Sequence, residues 1–149
     1  MRMLLIILMA LAGDLMLAQS ADDGAIRFRT VDIYVDSKAQ PLAAYQLEFS
    51  VTNSASATKI VGIEGGESPA FAEPPFYDPQ AIQHERIIIA AFSTNVVSHL
   101  PKGKTRVATI HLQTGRAAEP EFALKLQVAA DASGTKIPAE ASVEERKSK

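Results

Sequence analysis

From Ala44 to Val51 large apolar and polar residues take turns. Tyr45, Leu47, Phe49 and Val51 are apolar, and Gln46, Glu48 and Ser50 stand between them. Successive side chains of an extended strand point to opposite faces, so this spacing builds one apolar and one polar face. On a helix, residues two apart lie roughly 200° apart around the axis, and the same apolar groups would scatter. The stretch therefore predicts a half-buried strand of an antiparallel sheet.

Other segments repeat the theme. Ile26 and Phe28 alternate with Arg27 and Arg29, and the phase then moves by one to Val31, Ile33 and Val35. Such a change predicts a bulge, or a strand that crosses between sheets. Thr58 to Glu64 is rich in β-branched residues and is stopped by Gly65-Gly66. Arg86 to Phe92 is apolar on both faces, which predicts a central strand covered on both sides. Lys104 to Gln113 sets Ala108, Ile110 and Leu112 against Thr105, Thr109 and His111. In Glu121 to Ala130, Phe122, Leu124, Leu126 and Val128 are expected inward, with Lys125 and Gln127 outward. Lys136 to Val143 closes the domain, and Pro138 suggests an edge because it cannot donate to a ladder. Glu67 to Glu85 has no period but holds four prolines with Phe71, Phe76 and Tyr77, and reads as a long excursion pinned by its rings. Helical periodicity is confined to the first residues. Short, regularly spaced strands predict an all-β, two-sheet antiparallel β-sandwich with jelly-roll topology.

The beginning of the chain differs. Arg2, the apolar run from Leu4 to Ala12 and the small residues of Ala18-Gln19-Ser20 predict a cleavable signal helix over residues 1–20, cut after Ser20. The run is shorter than the about 20 residues of a membrane span, and Asp14 interrupts it. An uncleaved N-terminal anchor is the alternative. The sandwich domain is then expected over 21–143, followed by a charged, frayed tail at 144–149. Export places the protein in a bacterial periplasm or outside the cell. The chain has no cysteine, which removes lipid attachment of the bacterial lipoprotein kind, disulfide staples and thiol chemistry. With 15 basic and 17 acidic residues it lacks the basic excess of a nucleic-acid binder.

Tests for chemistry return little. His84, His99 and His111 show no His-x-His spacing, so no metal site is expected. Asp22-Asp23-Gly24 and Asp131-Ala132-Ser133-Gly134 lack the ligand pattern of a calcium loop and read as turns; calcium there would be weakly held. Gly65-Gly66-Glu67-Ser68 does not match a nucleophile elbow. Glu64, Glu67, Glu73, Asp78 and Glu85 gather near the long excursion without the defined separation a glycosidase needs. The chain is expected to be non-catalytic and without a cofactor.

Thr30 to Val35, Leu42 to Val51 and Lys59 to Gly66, followed by Arg86 to Phe92 and Val107 to Leu112, resemble the cohesin domain family in their order and alternation. The resemblance implies a jelly-roll scaffold module that binds the dockerin module of another secreted protein through a sheet face, the calcium belonging to the dockerin. Gln46, Glu48, Arg86, Thr109 and His111 are the outward candidates for such a face. Carbohydrate-binding modules share the fold, so polysaccharide stacking on Phe71, Phe76 and Tyr77 is the alternative.

Overall fold

A computed structural model describes residues 25–53, 57–115 and 118–147. The expected leader lies outside them. Eight strands follow in order: β1 (Ile26–Asp36), β2 (Ala44–Val51), β3 (Lys59–Gly65), β4 (Phe76–Tyr77), β5 (Arg86–Phe92), β6 (Lys104–Gly115), β7 (Phe122–Ala130) and β8 (Glu140–Glu145). They form two four-stranded sheets, sheet I in the order β3-β6-β1-β8 and sheet II in the order β4-β5-β2-β7. Every pairing is antiparallel, and the two sheets make a β-sandwich. Among the described residues, single turns of 3₁₀ helix interrupt the loops at Pro69–Phe71, Pro79–Ala81 and Val97–His99.

The alternation of β2 explains the core. Tyr45, Leu47, Phe49 and Val51 are all buried and meet Val31, Ile33 and Val35 of β1 and Ile110 and Leu112 of β6. Phe49 packs on Phe122 with ring centroids 5.6 Å apart. Tyr45 keeps its polar end satisfied by donating its hydroxyl to the carbonyl of Val107, at 3.1 Å. Burial raises the pKa of that phenol well above its ordinary value.

The excursion after β3 is held at both of its ends, the far one by the Gln83 N–H on the Ile60 carbonyl and the Ile60 N–H on the His84 carbonyl, both 2.8 Å. Gly66 donates its N–H to the carbonyl of Phe71, and Ser68 caps the Pro69–Phe71 turn by accepting from the N–H of Ala70. Phe71 is thereby buried and meets the Tyr45 ring edge-on, at 5.3 Å.

Four segments depart from the alternation read off the chain. In β6 the pairing with β1 skips Val107 and turns Thr105, expected outward, in beside Val35, where it is buried. β1 does not cross between sheets: Arg29, Val31, Ile33 and Val35 point inward along one continuous strand, leaving Ile26 and Phe28 outside. Its register irregularity with β6 falls later, between Ile33 and Tyr34. An arginine is tolerated at the inward position because it closes the end of the sandwich. Its Nη1 donates to Glu145 at 2.9 Å, and its Nη2 to the Ala118 carbonyl at 2.7 Å and to Glu119 at 3.0 Å. Val128 of β7 is turned out and 40% exposed, because the pairing with β2 slips between Gln46 and Leu47 and moves the outward phase by one. β5 buries Ile87 and Ile89 but leaves Ile88 and Phe92 exposed, so only one of its faces is covered.

The last strand also runs further than expected. β8 continues through Glu145, past the boundary at Val143, and Arg146 is anchored behind it. The Arg146 guanidinium grips Asp32 with two bonds of 2.7 Å, and the Arg146 backbone N–H donates to the Thr30 carbonyl.

Candidate functional site

The outward positions of β2 sit in the middle of sheet II and define its open face. Directly paired residues share a face, so register assembles the rest. Across β5, Ala44 faces Phe92, Gln46 faces Ala90, Glu48 faces Ile88 and Ser50 faces Arg86. Across β7, Gln46 faces Val128 and Glu48 faces Lys125. From the other side of β5, Phe76 of β4 faces Ala90.

The result is an apolar surface with a polar flank. Phe76 and Phe92 are 69% and 65% exposed and lie nearly parallel, their centroids 6.0 Å apart with 11° between planes. Ile88 and Val128 extend the apolar surface. Arg86 donates to Glu48 at 2.6 Å, and Gln46 donates to Gln127 at 2.6 Å, so the polar side chains are tied along the sheet. The hydrogen bond from Arg86 outweighs the opposing effect of burial and holds the Glu48 carboxyl below its ordinary range, with the charges of Arg86 and Lys125 helping. The Glu48–Arg86 pair is therefore charged on both sides at neutral pH. Large exposed apolar side chains gathered on one face mark a binding surface more readily than the same residues scattered singly.

The five outward candidates are divided between the sheets. Gln46, Glu48 and Arg86 come together on sheet II. Thr109 and His111 belong to β6 in sheet I and face the opposite direction. Thr109 is completely buried, donates to Asp32 at 2.8 Å and accepts from Arg106 at 2.8 Å and Arg146 at 3.3 Å. Burial alone would raise the Asp32 carboxyl, but the bonds from Arg146 and Thr109 and the charges of Arg146 and Arg106 outweigh it and hold the pKa below its ordinary value. His111 is partly exposed and lies 3.0 Å from Glu64. Alternation along a strand tells inside from outside but not which sheet the strand joins, and that is why one list spans two faces.

The aromatic trio separates as well. Phe71 is in the core and Tyr77 packs against it, so of the three only Phe76 is open to solvent. Its ring partner is Phe92, which the sequence reading did not single out. The available signal was the run Ile87-Ile88-Ile89, which fits a strand covered on both sides and equally a strand with one sticky open face.

Among the described residues no group of three or more His, Asp or Glu is placed to hold a metal. No family model matches the chain, and no match is found among the curated proteins or the solved structures.

Proposed function

We propose that this chain is an exported, non-catalytic sandwich of cohesin-like, jelly-roll type that binds another protein through the open face of sheet II. The observation that carries the reading is the Phe76–Phe92 pair, exposed on a flat sheet face beside Ile88 and Val128 and flanked by Gln46, Glu48, Arg86 and Lys125. Aromatic anchors within a polar rim are the usual anatomy of a protein interface. The jelly-roll reading is supported by the way the chain moves between sheets, with β1, β3, β6 and β8 in sheet I and β2, β4, β5 and β7 in sheet II. A dockerin-type module, itself carrying calcium, is the partner that the cohesin resemblance suggests.

A photo-crosslinking residue placed at Phe92, and separately at Gln113 on the outer face of sheet I, tests this in the secreted fraction of the source. The expected result is one discrete protein adduct from position 92 and none from position 113, with loss of the adduct on calcium chelation for a dockerin-type partner. Adducts from position 113 alone would overturn the choice of face. The parallel exposed rings favour a second reading, polysaccharide stacking. Retention on insoluble polysaccharide that disappears in Phe92→Ser, with no protein adduct, would establish it instead.

A further inference from the structure

A second surface lies on the edge of the other sheet, sheet I. β8 covers β1 only from Val31 to Asp36, and the ladder closes with the bond from the Arg146 N–H to the Thr30 carbonyl, at 2.9 Å. β1 continues outward from Thr30 to Ile26, held by β6 alone among the described residues. Main-chain groups of a strand alternate between its two edges, so the N–H and C=O of Phe28 and Ile26 face the same way as those of Thr30. Among the described residues no strand pairs with them there.

The side chains around this edge have a definite chemistry. A groove of about 460 Å³ is lined by Arg27, Phe28, Arg29, Thr30, Arg146 and Lys147, with Glu145 at its side. Glu145 is already matched by Arg29, at 2.9 Å, and Arg146 by Asp32. Arg27 and Lys147 have no ion pair among the described residues, so the groove keeps a positive excess. Arg29 is 7% exposed, and its Nε is buried without a hydrogen-bond partner among the described residues. A buried unpaired donor costs about 1–3 kcal/mol unless something arrives to accept from it. Phe28, 70% exposed, presents an apolar ring on the other face of the same strand.

We infer that the β1 edge from Ile26 to Thr30 is a docking site for an extended peptide of another protein whose side chains alternate acidic and apolar. The peptide adds as a strand beyond the end of β8 and takes up the main-chain groups of Phe28 and Ile26 that no described strand pairs with on that edge. Its acidic side chains face Arg27 and Lys147, and its apolar side chains pack on Phe28. A second copy of this chain is the wrong occupant, because pairing the edge with itself sets Arg27 and Lys147 against their own equivalents. Strand addition at an unprotected edge is the event that proteins otherwise guard against with charge and short strands. Here the charge selects the partner instead. The site is separate from the open face of sheet II, and either can fail without the other.

The probe is a fluorescent octapeptide of alternating Glu and Val, titrated with the purified protein and followed by polarisation. Binding is expected, weakening as salt is added and falling tenfold or more in Arg27→Glu, whose exposed position leaves the unfolding transition unchanged. The same peptide N-methylated at alternate residues, so that its edge-facing N–H groups are gone, is expected not to bind. Equal binding of a Lys-Val octapeptide, undiminished binding of the N-methylated peptide, or no binding of the Glu-Val peptide would each overturn the inference. So would dimers seen in sedimentation that disappear in Arg27→Glu, since the edge would then belong to a second copy.

Discussion

Phe49→Ala is expected to destabilise the domain by about 3–5 kcal/mol, the cost of truncating a fully buried phenylalanine. Phe49 has no exposed surface, packs on Phe122 and sits in the central strand pair of sheet II. Truncation removes its burial and leaves a cavity that two hydrogen-bonded ladders, to β5 and to β7, prevent from collapsing. A domain of this size is stable by only about 5–15 kcal/mol, so one side chain accounts for a large share. Urea unfolding checks the value, with Ser50→Ala on the outward side of the same strand expected within about 0.5 kcal/mol of the parent. Equal losses at the two positions would mean that the two faces of β2 are not distinguished by burial.

Gly65→Ala is expected to cost about 3 kcal/mol or more, at the upper end for forcing atoms into a packed site. A Cβ on Gly65 would lie 2.0 Å from the Ala72 carbonyl oxygen and 2.7 Å from that of Glu73. Both obstacles are backbone, so relief requires the excursion to move away from β3. That movement breaks the Gly66–Phe71 bond and withdraws Phe71 from Tyr45. It also loosens the chain leading to Phe76, so the variant is expected to lose adduct yield at position 92 together with stability. Limited proteolysis within 67–85 should rise in parallel. Gly115→Ala is the control, since a Cβ there meets nothing within 4 Å. A Gly65→Ala protein that unfolds at the parent's urea concentration would show that the close approach of these two segments is not a real constraint.

Much of the sandwich is legible in the chain because burial on one side of a sheet imposes a two-residue period. β2 follows it without exception, and so does the inward side of β6 from Ala108 to Leu112, until the slip at Val107 reverses the phase and buries Thr105. What escapes the period is set by register and by neighbours. The slip between Gln46 and Leu47 turns Val128 outward, and nothing in the local spacing of β7 announces it. Arg29 reads as an outward residue until Glu119 and Glu145 arrive from distant segments to neutralise it. The final strand is extended past Val143 by Arg146, whose partner Asp32 lies more than a hundred residues earlier. The candidate face is half legible for the same reason. Gln46 and Glu48 are read correctly as outward. Phe92 joins them only because β5 pairs with β2 and presents its open side beside Phe76. Thr109 and His111 carry the same outward signal but follow their strand into the other sheet.

Two-residue alternation along Ala44 to Val51 divides the chain into a sealed interior and an open outer face. The chain has no cysteine of its own, so single cysteines placed in turn at positions 44 to 51 report that division directly by their rates of thiol labelling. Cysteines at Gln46, Glu48 and Ser50 should label freely, and those at Tyr45, Leu47 and Phe49 at least about a hundredfold more slowly, because labelling there waits on local opening. Labelling at one common rate, or a rise and fall every three to four residues, would contradict the account.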